Sequence, residues 1–230
     1  MSTHNLATLE ETLNIGSNSK QIWATNCGGW DHRGAELQCV ICRIVSSDES
    51  NPDINRSRNE VAIIIVTRDD IAANKLEAYT VLSHPPTHGH TAVNGPHIRF
   101  TDLRVPAANL LAPPGKGADI VDQTFTASAA IVGAMGVGLM RRTFEIALAW
   151  AKVEKRGGSE IMLQKQSVAD LLIKIKTRCE ASRMLTWKAA CALGDATTAK
   201  AGAEIAYEAK IFCSESAVES AMDAINLVGT

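Results

Sequence analysis

The hydrophobic periodicity of this chain changes once, at Pro113-Pro114-Gly115-Lys116-Gly117, and that switch constrains the fold more than any single motif. Before it, short apolar or alternating runs separated by turn residues predict strands at Leu6–Leu13, Ser19–Thr25, Leu37–Val45, Val61–Thr67, Tyr79–Leu82, His90–Val93 and His97–Val105. Val61–Val66 is a β-branched apolar run bounded by charge, the pattern of a strand buried on both faces. Gly28-Gly29 and Asn94-Gly95-Pro96 mark sharp turns, and the polar stretch Ser46–Glu60 reads as a long surface loop. No interval between these strands is long and periodic enough for a crossover helix. An antiparallel barrel or sandwich is the natural solution.

After the switch, apolar residues recur at a helical period. Asp119–Lys155, Gln166–Leu193 and Thr198–Val228 predict three long helices, broken at Gly157-Gly158 and Gly194-Asp195. Three such helices make an incomplete up-down bundle, with an apolar groove where a fourth would lie. Truncation or an obligatory partner is therefore expected. Gly133-Ala-Met-Gly136-Val-Gly138 lies inside a helical segment with no strand before it, so it reads as close helix packing rather than a phosphate loop.

A formal charge of −2 argues against a dedicated nucleic-acid or anionic-membrane binder. The longest apolar run, Ala129–Met140, is too short and too rich in Gly and Ala to predict a transmembrane segment. The N-terminus lacks a secretion signal, so an intracellular location, cytoplasm or organelle matrix, is expected. The six cysteines are read as reduced. Cys39-Val-Ile-Cys42 lies on a strand, where positions i and i+3 face opposite ways, so no metal site is expected there. The histidines His84, His88 and His90 crowd a Pro-rich turn without acidic or Cys ligands and read as surface imidazoles. Asp69-Asp70 is a helix start or a solvated face.

The line Trp23-Ala-Thr-Asn-Cys-Gly-Gly-Trp30-Asp-His-Arg-Gly resembles the middle barrel of acyl-CoA dehydrogenase-like flavoproteins, and most of all their nitroalkane oxidase branch. The resemblance continues through Gly95-Pro-His-Ile-Arg-Phe100, Ser128-Ala-Ala, Arg156-Gly-Gly-Ser, Gln166-Ser-Val-Ala-Asp170 and Ser182-Arg183 to Trp187-Lys-Ala. It implies a β + α multidomain protein: a middle β-barrel domain over 1–112 and a C-terminal helical bundle over 113–230, its fourth helix absent. It also implies FAD between barrel and bundle, a homo-oligomer, and a small-molecule substrate, either a nitroalkane or an acyl-CoA thioester. By resemblance, Trp23 flanks the isoalloxazine and the Thr25 hydroxyl bonds near flavin N5, where a donor stabilises the reduced ring. Arg156 matches an arginine that reaches the FAD diphosphate, commonly across a subunit interface, and Gln166 matches a glutamine beside it. A guanidinium fork suits phosphate oxygens. Ser128 resembles a serine placed beside flavin and substrate.

Each of these residues also has an ordinary structural reading. Trp23 and Thr25 suit strand packing, Arg156 the end of a helix, Gln166 a helix start and Ser128 a small-residue contact. The family's proton-abstracting Asp or Glu falls beyond the position matching Thr230, so no residue is expected to fill that role; Asp170, Asp195 and Glu219 are not candidates. The resemblance thus implies α-proton abstraction with transfer of reducing equivalents to flavin. The alternative is an inactive remnant, or an interaction subunit using the uncovered helical face.

Overall fold

The structure is a computed structural model and describes residues 12–15, 36–43, 60–86, 88–89, 95–194 and 199–229. The strands expected at Ser19–Thr25 and His90–Val93, and the loop at Ser46–Glu60, fall wholly or mainly outside the described residues. The chain divides into two compact units, Met1–Ile120 and Val121–Thr230.

The apolar run in the first unit becomes β3 (Val61–Thr67), the middle strand of a three-stranded antiparallel sheet between β2 (Leu37–Arg43) and β7 (Leu110–Ala112). Its central position explains why it lacks polar alternation: Ala62, Ile63, Ile64 and Val66 are all buried. β1 (Thr12–Ile15) pairs with β6 (Leu103–Pro106), and β4 (Tyr79–Ser83) with β5 (His97–Phe100). The single strand expected over His97–Val105 is two, because Asp102 takes a left-handed φ of 50° between them. Asp is among the few residues that tolerate that region.

The expected closed barrel is not found. Among the described residues the strands form three separate sheets, β1-β6, β2-β3-β7 and β4-β5, with no ladder joining them. What unites them is side-chain packing. Ile15, Val40, Ile64, Val66, Ile98, Phe100, Leu103 and Val105, drawn from all three sheets, share one core, and the Tyr79 ring meets Phe100 edge-on at 5.6 Å. Alternation reports which face of a strand is buried, and carries no information on whether neighbouring ladders connect.

The helix count also differs from the three expected. Among the described residues there are four α-helices, the additional one being α1 (Arg68–Ala72) in the first unit. Thr67 and Asp70 form a reciprocal capping box that starts α1, with Asp70 N donating to Thr67 Oγ1 and Thr67 N donating to Asp70 Oδ2 at 2.8 Å. The Asp69-Asp70 pair is thus a helix start. Asn109 Nδ2 donates to the same Asp70 oxygen at 2.9 Å, tying α1 to the segment before β7.

In the second unit, α2 (Gly117–Ala151, of which the first turn belongs to the first unit), α3 (Gln166–Leu193) and α4 (Ala199–Val228) share three apolar clusters. Along the clusters α2 advances from Ala129 through Met140 to Ala147, α3 retreats from Ala189 through Cys179 to Val168, and α4 advances from Ala206 to Leu227. α3 is therefore antiparallel to both neighbours. Two of the three glycines in the run 133–138 sit at contacts: a Cβ on Gly136 would lie 2.9 Å from the Cys213 carbonyl oxygen, and one on Gly133 3.0 Å from Thr186 Oγ1. Gly138 faces open space. At 35 residues α2 is long and apolar enough to cross a membrane by length and composition, which the shorter run Ala129–Met140 did not suggest. Its glycine and alanine face packs against α3 and α4.

Candidate functional site

The connection from α2 to α3 is built around Arg156. The last turn of α2 closes with Glu154 N donating to Trp150 O at 3.0 Å. One carboxylate oxygen of Glu154 then accepts two successive backbone N–H groups, from Lys155 at 2.9 Å and Arg156 at 2.7 Å. Those bonds hold the Glu154 carboxyl below the usual glutamate range. Arg156 itself has a φ of 50°, a left-handed conformation rare for a residue with a long side chain, and Gly157 follows at 75°. The Glu154 carbonyl accepts from Met162 N at 2.7 Å, folding the loop back toward α3.

The guanidinium of Arg156 is held from two directions. Its carbon lies 5.3 Å from the centroid of the Trp150 ring, a cation–π distance, and Nη2 donates to the carbonyl of Gly229 at 2.8 Å. Gly229, with a φ of 62°, ends α4, and its carbonyl belongs to the negative end of that helix. A side chain there would crowd the guanidinium, since a Cβ would sit 3.3 Å from Nη2. Arg156 is exposed, and among the described residues its Nη1 and Nε have no partner. Those remaining N–H groups are donors of the kind that bond phosphate oxygens.

Gln166 is the first residue of α3 and is exposed; its Nε2 donates to Asp170 Oδ1 at 2.7 Å, leaving the amide oxygen for other partners. Lys165 at the N-cap supplies no side-chain hydrogen bond, so the first N–H groups of α3 remain available. Ser128 is partly buried on α2 and donates to the Phe125 carbonyl at 3.0 Å, a local helix bond. It lies roughly 35 Å along α2 from the turn that carries Arg156, at about 1.5 Å per residue. The structure therefore brings Arg156 and Gln166 to one end of the helical unit and leaves Ser128 toward the other. Trp23 and Thr25 lie outside the described residues.

The excluded carboxylates have other work: Asp170 accepts from Gln166, and Glu219 pairs with Arg178 at 3.0 Å. Asp195 is outside the described residues. Sequence reasoning missed Trp150, Glu154 and Gly229. A Glu two residues before an Arg-Gly-Gly turn was the available signal, but a shared acceptor oxygen is visible only in three dimensions.

A groove of about 680 Å³ between α2 and α3, lined by Val137, Arg141, Phe144, Lys176, Cys179 and Trp187 among others, contains none of these residues. Its cations are engaged: Arg141 with Glu145 at 2.9 Å, and Lys176 with Glu180 while lying over the Phe144 ring. Cys39, Cys42, Cys179, Cys191 and Cys213 are free thiols, and among the described residues no group of His, Cys, Asp and Glu side chains is arranged to hold a metal.

An antiparallel β unit is followed along the chain by long antiparallel helices, with an arginine presented at the first interhelical turn. Residues 115–230 match the family model described as acyl-CoA dehydrogenase, C-terminal domain, and the chain belongs to that family. It is 48% identical over 217 residues to the nitroalkane oxidase of Podospora anserina, covering 92% of this chain and 49% of that protein. With the nitroalkane oxidase of Fusarium oxysporum it shares 47% identity over 214 residues, 91% of this chain and 48% of that protein. Among solved structures, an active-site serine-to-alanine mutant of a nitroalkane oxidase crystallized with 1-nitrohexane superposes with a TM-score of 0.88 at 43% identity, covering 97% of this chain and 52% of that one. The chain thus spans about half the length of the curated relatives it matches.

Proposed function

We propose that the protein is an FAD-dependent oxidoreductase of the acyl-CoA dehydrogenase/nitroalkane oxidase type, acting on a small molecule with an acidic α-carbon. The observation that carries this reading is the identity of nearly half the residues with two nitroalkane oxidases along more than nine-tenths of the chain. It favours a nitroalkane over an acyl-CoA thioester as the substrate class. Bound FAD would supply the electron acceptor.

The residues of this chain take binding and orienting roles. Arg156 grips the cofactor diphosphate through the N–H groups that Gly229 leaves free, and Gln166 supports it from the start of α3. Trp23 packs against the flavin ring and the Thr25 hydroxyl donates near N5, as the resemblance implies. Ser128 lies beside the substrate; the serine-to-alanine active-site mutant of a relative supports a serine in such a place. The separation of Ser128 from Arg156 along α2 exceeds the reach of one cofactor, so the two serve different cofactor molecules in a homo-oligomer. Large exposed apolar side chains on α2, including Ile131, Leu139 and Ile146, provide a surface for such assembly. We assign proton abstraction to none of these 230 residues.

Replacing Arg156 by Ala is expected to weaken FAD binding about ten- to a hundredfold, the worth of one or two charge-assisted hydrogen bonds. Fluorescence titration of the flavin-free protein measures it. An unchanged affinity contradicts the role of Arg156.

A further inference from the structure

The geometry points to Glu154 as a positioning residue for Arg156: its carboxylate holds the backbone turn that keeps the guanidinium between the Trp150 ring and the Gly229 carbonyl. This rests on the reading of Arg156 as a diphosphate ligand and adds a residue to it. Arg156 adopts a left-handed φ of 50° that an L-residue leaves readily. Within the turn, the two N–H bonds to one Glu154 oxygen, at 2.9 and 2.7 Å, oppose that relaxation together with the bond from Gly158 N to the Lys155 carbonyl at 2.9 Å. If the backbone relaxed to the right-handed region, the side chain would leave from a different direction, and both the 5.3 Å ring contact and the 2.8 Å bond to Gly229 would be lost. In this arrangement Glu154 Oε1 bonds the backbone of the turn. It acts through Arg156.

The test is a double-mutant cycle on FAD affinity in the protein stripped of flavin, with melting temperature recorded for every variant. Glu154→Gln retains an acceptor oxygen and is expected to lose about threefold in affinity, and Glu154→Ala about tenfold. Arg156→Ala is expected to lose at least as much, and Glu154→Ala combined with Arg156→Ala to bind no more weakly than Arg156→Ala alone. A purely structural Glu154 would instead add its loss in full to that of Arg156→Ala, which overturns the proposal. Wild-type affinity in both Glu154 variants overturns it as well. If the unsubstituted protein binds no FAD in excess, the reading of the site itself fails, and that outcome is separate from a failure of Glu154 alone.

Discussion

Arg156 shows how a residue type can be legible while its geometry is not. The Arg-Gly-Gly sequence announces a basic turn, and the resemblance supplies a phosphate for it. Neither reveals that Glu154 fastens the turn or that the end of α4 is its second anchor. These contacts join positions 154, 156 and 229, and no local pattern encodes a pairing of that length. The carboxyl of Glu154 is held below the usual value of 4.5, chiefly by the N–H of Arg156 and then by that of Lys155. Its folded value is thus lower than its unfolded one. The stability it contributes is fully present above about pH 4.5 and is lost as pH falls through the lower folded value. Melting temperatures of the wild type and Glu154→Gln are expected to converge in acid and separate above that range. Parallel curves across the whole range would show that the charge on Glu154 is immaterial.

At the scale of elements, the helices carry paired expectations. Gly136→Ala is expected to destabilise by about 1–3 kcal/mol, since overpacking against the Cys213 carbonyl exceeds the roughly 1 kcal/mol gained in helix propensity. Gly138→Ala, which meets no atom within 4 Å, is expected to stabilise by about 0.5–1 kcal/mol. Chemical denaturation of the two variants reads the contrast, and equal effects would mean that α2 does not approach α4 at Gly136. Thr67→Ala removes the cap of α1 and is expected to cost about 1 kcal/mol. The bounds of β3 and α3 were readable because a buried central strand is a continuous apolar run bounded by charge, and a long helix repeats its buried residues at a helical period. β7 was missed: three residues are too few to establish alternation. The break at Asp102 was missed because a left-handed residue other than Gly leaves only a weak trace in sequence.

For the whole molecule, the division into strands and then helices was legible from the change in periodicity, whereas barrel closure was not. Closure depends on which strands share backbone hydrogen bonds, and among the described residues the three sheets share no ladder and meet through the side chains of Ile64, Ile98, Phe100, Leu103 and their neighbours. The cofactor assignment rests on family membership joined to an arginine with donors to spare. The assembly assignment rests on the spacing between Ser128 and Arg156, and on the apolar face of α2. Static light scattering of the flavin-bound protein is expected to give a multiple of the chain mass; a monomer with FAD bound would contradict the sharing of sites between copies. FAD binding is read by loading the purified protein with excess FAD, removing free flavin by gel filtration, and recording the visible spectrum of the protein fraction. A flavin absorption band that travels with the protein is the expected result, and a protein fraction without one, after loading at excess FAD, contradicts the account.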